Sequence, residues 1–226
     1  MTNLPYRNRH EAGRKLARHL VELAAWEDPL VLALPRGGVP VAAEVAVALN
    51  AELDVLVVRK IGLPWQPEVA MGAIASGGIC VRNEAVVHAL GISDRDFDRV
   101  MREEEAELRR RERRYRGDRG PIRIQDRTVI VVDDGLATGS TMQAAVAALR
   151  EADPLRILVA VPVGARESVE VLRRDADEVI CPETPEPFGA IGAFYDDFSQ
   201  VSDGEVETLL AAARKRTRAV GLHHET

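Results

Sequence analysis

The chain is predicted to be an α/β protein built on a mainly parallel sheet, and three observations carry that prediction. Short apolar runs rich in Val, Ile and Leu alternate with longer amphipathic stretches, which is the pattern of βαβ units. Two of those runs end in glycine-containing turns that open into Ala- and Val-rich helical segments, at PRGG (35–38) and GLATGST (135–141). The 226 residues, 46% hydrophobic and 29% charged, suffice for one well-buried core, so a single domain spanning 1–226 is expected.

The elements follow in order. MTNLPYRNRHEAGRKLARHL lacks the apolar core of a secretion signal and leads into an amphipathic helix over Arg9–Ala25. A strand over Leu30–Leu34 runs into the PRGG turn and then a helix over Val39–Asn50. This is the most apolar region, but the turn breaks it and Glu44 interrupts it, so it is not a membrane span. A second strand is expected over Asp54–Val58, followed by an insertion or flap over about 61–120. Within it lie a small β-element, Gly72–Arg82, and helices over Asn83–Leu90 and Ser93–Arg116. The last of these pairs Glu105 with Arg109 and Glu107 with Arg111 in the favourable i,i+4 order, so it reads as a solvated, salt-bridged helix, with a lid or partner surface as the alternative. Strands over Thr128–Val132, Arg156–Val161 and Glu178–Cys181 alternate with helices over Thr141–Glu151, Ala165–Arg173 and Gly204–Arg216.

Several functions are disfavoured at this level. A net charge of −6 gives no support to nucleic-acid binding, and nothing reads as a membrane segment. Cys80 and Cys181 have no ligand-like spacing and read as small buried hydrophobes in a reducing, cytoplasmic compartment. His223 and His224 lack a third ligand nearby and read as tail residues.

The chemistry concentrates in VIVVDDGLATGST (129–141). A buried strand ends in two adjacent carboxylates, which repel each other and are costly to bury, so a ligand or cation is the natural reason for them. The next residues are small or hydroxyl-bearing and lead to a helix N-terminus, whose free N–H groups favour a phosphate. The spacing excludes a Walker A loop, which needs a lysine after its second glycine, and no G-x-G-x-x-G is present. A sugar phosphate suits both ends of the stretch.

VIVVDDGLATGST resembles the phosphoribosyl pyrophosphate (PRPP) motif of type I phosphoribosyltransferases. The resemblance implies a Rossmann-like α/β fold with a C-terminal hood, here about 181–200 plus the N-terminal segment. Asp133 and Asp134 would hold the ribose hydroxyls and, indirectly through ribose or water, Mg²⁺. Gly135 and Leu136 lead into Ala137, Thr138, Gly139, Ser140 and Thr141, which would wrap the 5′-phosphate. Arg36, Gly37 and Gly38 resemble the family's pyrophosphate loop. Arg59 and Lys60, before Ile61-Gly62-Leu63-Pro64, resemble the cationic pair and mobile loop of adenine phosphoribosyltransferase, with Trp65–Glu68 as part of a flap. The implied reaction is Mg²⁺-dependent transfer of phosphoribose from PRPP to a nitrogenous base. Arg36, Arg59, Lys60 and Asp133 would be the catalytic residues; a PRPP- or nucleotide-binding regulator is the alternative.

One departure narrows the acceptor. Ala137 stands where 6-oxopurine enzymes of the family carry an aspartate, and an alanine there resembles the adenine and orotate enzymes. In the hood, Phe188 either stacks on a base or packs the hood onto the sheet, while Phe194–Phe198 reads as core with surface acids. The family also implies a homodimer, for which an exposed apolar face on an inserted helix would serve.

Overall fold

The computed structural model describes residues 4–23 and 26–221; His223 and His224 lie outside them. In chain order the elements are α1 (Arg9–Leu23), β1 (Pro29–Ala33), α2 (Gly38–Ala48), β2 (Glu52–Val55), β3 (Val58–Leu63), β4 (Gln66–Ala75), β5 (Ile79–Arg82), α3 (Glu84–Ala89) and α4 (Asp94–Arg116). They continue with β6 (Thr128–Val132), α5 (Ser140–Arg150), β7 (Arg156–Ala160), α6 (Arg166–Leu172), β8 (Glu178–Ile180), a 3₁₀ turn (Ile191–Phe194) and α7 (Asp203–Gly221).

Five strands form one all-parallel sheet in the order β2-β1-β6-β7-β8. Its central strands are apolar on both faces because helices cover both. Val31, Ala33, Ile130, Val132, Leu158 and Ala160 pack towards the α1, α2 and α7 side. Their neighbours Leu30, Leu32, Val129, Val131, Ile157 and Val159 pack on the other side, against α5 and α6. The period of two is the pleat itself. Helix α2 is buried over most of its surface, which explains why its sequence is apolar all round.

The expected strand Asp54–Val58 is two strands. The chain leaves the parallel sheet at Val55 and starts β3 at Val58, the first strand of a separate antiparallel sheet, β3-β4-β5. The run from Val55 to Val58 is apolar throughout, so nothing in its hydropathy marks the break. Arg59 and Lys60 therefore lie inside a strand, and Ile61–Leu63, expected as mobile loop, completes that strand. Trp65 sits at the tip of the β3–β4 hairpin, 64% exposed. Cys80 is exposed and Cys181 half-buried, where both were expected inside. No helix among the described residues is long and apolar enough to cross a membrane.

Helix α4 is bounded as helix physics requires. Ser93 caps it by accepting from the Asp96 N–H at 3.2 Å, acids lie in its first turn and arginines in its last, and Gly117 ends it at φ 62°. The pairs Glu105–Arg109 and Glu107–Arg111 form. Its apolar side, with Phe97, Leu108 and Tyr115, belongs to the main core. The expectation of an exposed apolar face is thus corrected: the chain's own sheets cover it.

The end of α4 is tied to the parallel sheet by charge. Asp54, 3% exposed at the end of β2, accepts from Arg116 at 3.2 Å and from Arg119 at 3.2 Å and 3.3 Å. Removing the carboxylate would leave the buried Arg116 guanidinium without its anion. Asp54→Ala is expected to cost about 3 kcal/mol in urea unfolding, as for other broken buried pairs. A loss within experimental error would show that Arg116 is satisfied without it.

Candidate functional site

The site is built where β1 and β6, neighbours in the sheet, release their chains at the same edge. After β1, Leu34 N–H donates to the Val132 carbonyl at 2.9 Å, so the PRGG turn stays pinned to the end of β6. The Pro35–Arg36 peptide bond is cis. Close approach is possible only because of two glycines. A Cβ on Gly37 would lie 2.1 Å from Asp134 Oδ2, and one on Gly38 would lie 2.6 Å from the Val132 carbonyl oxygen. The PRGG turn therefore lies directly against the acidic end of β6, from which the second glycine turn starts.

After β6, Asp133 and Asp134 take different roles. Asp134 is buried: its Oδ2 accepts from Arg9 Nε at 2.8 Å, and Tyr195 Oη donates to its carbonyl. Arg9 is itself buried, stacks on Phe198 with its guanidinium carbon 3.8 Å from the ring centroid, and donates to the Ser199 carbonyl. Asp133 is only half-buried. One of its oxygens accepts from the Asp134 N–H at 2.9 Å; the other has no hydrogen bond from a described residue. Burial, and next the charge of Asp134, hold the Asp133 carboxyl well above the ordinary range. Burial raises Asp134 as well, with the Arg9 hydrogen bond pulling the other way.

The loop that follows is shaped for close approach. Gly139 takes φ 72°, a left-handed conformation that suits glycine, and directly precedes α5. Ser168 Oγ donates to the Ala137 carbonyl at 2.5 Å, Leu136 N–H donates to the Val163 carbonyl, and Thr138 and Ser140 hydroxyls lie 3.2 Å apart. The first turn is thus fixed to the end of β6 and the second to the segment after β7 and to α6, while the first N–H groups of α5 have no intrahelical acceptor.

The cations expected to join them are spread out. Adjacent residues in a strand point to opposite faces, and β3 separates its pair accordingly. Arg59 turns to α4 and binds Glu104 at 2.6 Å and 2.7 Å. Lys60 turns towards α5 and, with Ser140 and Gln143, lines a cavity of about 920 Å³. It has no ion pair among the described residues. The expectation that Arg59 and Lys60 act as one strand-end pair is corrected by this alternation. Arg36 lies 3.8 Å from Asp203, in a pocket away from both.

Residues 181–200 close over this edge together with the N-terminal segment. Tyr6 N–H donates to the Phe194 carbonyl at 2.9 Å, and Asp196 N–H to the Tyr6 carbonyl at 2.8 Å. Phe188 lies 5.0 Å from Phe194 between centroids and joins the Tyr6–Tyr195 cluster, so in this structure it packs the segment down. Sequence reasoning missed Arg9 and Tyr195, the two residues that hold Asp134. The signal available was an arginine opening a helix and a tyrosine among acids, neither distinctive.

Two outcomes follow from the carboxylate pair. Arg9→Met leaves Asp134 buried without its cation and is expected to destabilise by about 3 kcal/mol, most of it recovered in Arg9→Met/Asp134→Asn. Additive effects in urea unfolding would remove the pairing argument. For Asp133 the folded protein holds the proton more tightly than the unfolded chain. Its contribution is therefore fully present below the unfolded pKa of about 4 and is lost as pH rises through the folded value. Asp133→Asn is expected to raise Tm at neutral pH and to converge on the wild type in acid. A Tm difference that does not vary with pH would refute it.

Comparison with known proteins agrees with this geometry. The phosphoribosyl transferase domain family matches residues 5–199. Two Mycobacterium tuberculosis proteins, provisionally named phosphoribosyl transferases, are each 45% identical over 208 residues. That covers 92% of this chain and 47% of theirs, so the chain spans about half the length of these curated relatives. The crystal structure of TT1426 from Thermus thermophilus superposes with a TM-score of 0.84 at 42% identity, covering 92% of this chain and 99% of that one. The AQ2163 protein from Aquifex aeolicus shares the fold at a TM-score of 0.51 and 12% identity, covering 90% and 85%. With a glycine turn packed against the acidic end of a central strand and a family match over residues 5–199, this chain belongs to the phosphoribosyl transferase domain family and has the type I phosphoribosyltransferase fold.

Proposed function

We propose that the protein transfers the phosphoribosyl group of PRPP to a nitrogenous, nucleobase-like acceptor and releases pyrophosphate. The observation that carries this reading is the packing of the PRGG turn against the acidic end of β6, beside Asp133, one of whose oxygens takes no hydrogen bond from a described residue. Gly139, Ser140 and Thr141 at the start of α5 bind the 5′-phosphate through backbone N–H groups, helped by the hydroxyls. Asp133 accepts from a ribose hydroxyl. Asp134 acts through position: held by Arg9, it supports Gly37 and so fixes where the pyrophosphate turn lies. This revises the symmetrical role expected of the two acids.

Mg²⁺ suits this donor set. The ion is commonly held by one or two carboxylates plus substrate phosphates, and the free oxygen of Asp133 offers one such position. When bound, Mg²⁺ would neutralise charge on the pyrophosphate. The chain's own work is to bind and orient. Breaking the bond from ribose C1 to pyrophosphate leaves positive character on the sugar and negative charge on the leaving group. The Gly37 N–H and Arg36 meet that negative charge, while the Gly38 N–H is spent on the Leu34 carbonyl at 3.1 Å and Gly38 serves by its small size. Lys60 reaches the charge from β3 when the hairpin bearing Trp65 closes. Segment 181–200 serves as the hood over the acceptor. Ala137 offers no carboxylate to a purine ring nitrogen, so 6-oxopurines are poor acceptors in this reading.

Calorimetry with Mg²⁺ and PRPP tests the binding step, and a screen of nucleobases read out as pyrophosphate release tests the reaction. Wild type is expected to bind PRPP and Asp133→Ala to lose most of that affinity. Lys60→Ala is expected to lower turnover at least about tenfold with a smaller change in PRPP affinity, since its contact strengthens as the leaving charge develops. The regulator reading gains from Arg36 and Arg59 both facing carboxylates of the chain itself. PRPP binding with no acceptor that releases pyrophosphate would decide for it.

A further inference from the structure

Four guanidinium groups converge on one pocket, and the PRPP reading uses only one of them, Arg36. It has a volume of about 210 Å³ and is lined by Arg36, by Arg110, Arg111, Arg114 and Tyr115 of α4, and by Asp203 at the start of α7. Positions 110, 111, 114 and 115 share one side of the last turns of α4, so helical periodicity alone brings them together. The single lining carboxylate is contacted from several sides. Asp203 lies 2.8 Å from Arg114, accepts from Tyr115 Oη at 2.6 Å, and lies 3.8 Å from Arg36. Arg110 and Arg111 are held at the rim by Glu107 of their own helix, at 2.7 Å and 2.8 Å.

We propose that this pocket is a second anion site, for the linked phosphates of an oligophosphate, and that Asp203 is the internal anion such a ligand replaces. The four guanidinium groups meet three carboxylates, Asp203 in the pocket, Glu107 beside Arg110 and Arg111, and Glu207 at 3.2 Å from Arg114, which leaves an excess of one positive charge that rises to two when a ligand displaces Asp203. Guanidinium forks match phosphate oxygens in pairs, which a lysine cluster would not do. The amino end of α7 faces the same space and adds its dipole. The volume accepts two or three linked phosphates and leaves any attached nucleoside outside. Arg36 belongs both to this pocket and to the turn after β1, so occupancy here shifts the guanidinium available to the ribose cleft. The coupling is reciprocal by linkage. The site itself stands whether or not the protein transfers phosphoribose.

The test is calorimetric titration of the intact protein with inorganic tripolyphosphate in Mg²⁺-free buffer, with sulfate at matched ionic strength as control. Wild type is expected to bind tripolyphosphate, and Arg110→Gln/Arg114→Gln to bind it at least about tenfold more weakly, as for lost charge-assisted phosphate contacts. Asp203→Asn is expected to bind more tightly. Asp133→Asn is expected to bind as wild type does, even where PRPP binding is lost, which separates this proposal from the transferase reading. A nucleoside triphosphate arm identifies the source: equal affinity means that the phosphates alone are read, and higher affinity that a nucleotide is preferred. Because Arg114 also holds α7, Arg110→Gln alone is run beside it and must still weaken binding in a protein with unchanged Tm. No binding by wild type, or equal binding by wild type and both arginine variants, overturns the proposal.

Discussion

The placing of two adjacent carboxylates, Asp134 buried and Asp133 half-buried, at the end of β6 is the constraint to which the rest of this edge of the molecule answers. Asp134 is stabilised in place by Arg9, which brings the start of α1 to the sheet, and Arg9 in turn is held by Phe198 and the Ser199 carbonyl. Tyr195 closes the arrangement from the C-terminal side. One charge thus organises an N-terminal helix, a central strand and a C-terminal segment that are far apart in sequence. Asp133 has no arginine bonded to it, and burial and the charge of its neighbour oppose its ionisation.

The antiparallel sheet is the second organising feature. It leaves the parallel sheet after Val55 and stands between α4 on one side and α5 on the other. Arg59 and Lys60, neighbours in sequence, consequently serve different parts of the molecule. Helix α4 is anchored at its end through Arg116 and Asp54 and along its length by Phe97 and Leu108. Its charged side is therefore fixed relative to the turn after β1.

Much of this was legible in the residues. The parallel sheet showed because strands covered on both faces must be apolar throughout, as in Val129–Val132. The approach of the PRGG turn to the acidic end of β6 was legible because carboxyl ends of neighbouring parallel strands share an edge. What the residues did not disclose depended on partners distant in the chain. Arg9 looks like any helix-opening arginine until Asp134 is placed beside it. The break between β2 and β3 was hidden because Leu56 and Val57 are as apolar, and as buried, as the strands they separate. Cys80 was misplaced because β5 is the edge strand of the antiparallel sheet, a position that the residues do not disclose.

The hairpin tip gives the molecule a built-in optical reporter. Of the two tryptophans in the chain, Trp26 is half-buried with its indole N–H bonded to the Leu20 carbonyl at 3.0 Å, whereas Trp65 stands 64% exposed at the turn between β3 and β4. Their emission environments differ accordingly: Trp26 is shielded, and Trp65 is open to water and to collisional quenchers such as iodide. Ordering of the hairpin over a ligand would be seen as a blue shift and loss of quenching from Trp65 alone, with Trp26 as the internal constant. Intrinsic fluorescence can therefore follow the movement of this hairpin on its own time scale, with no label attached to the protein.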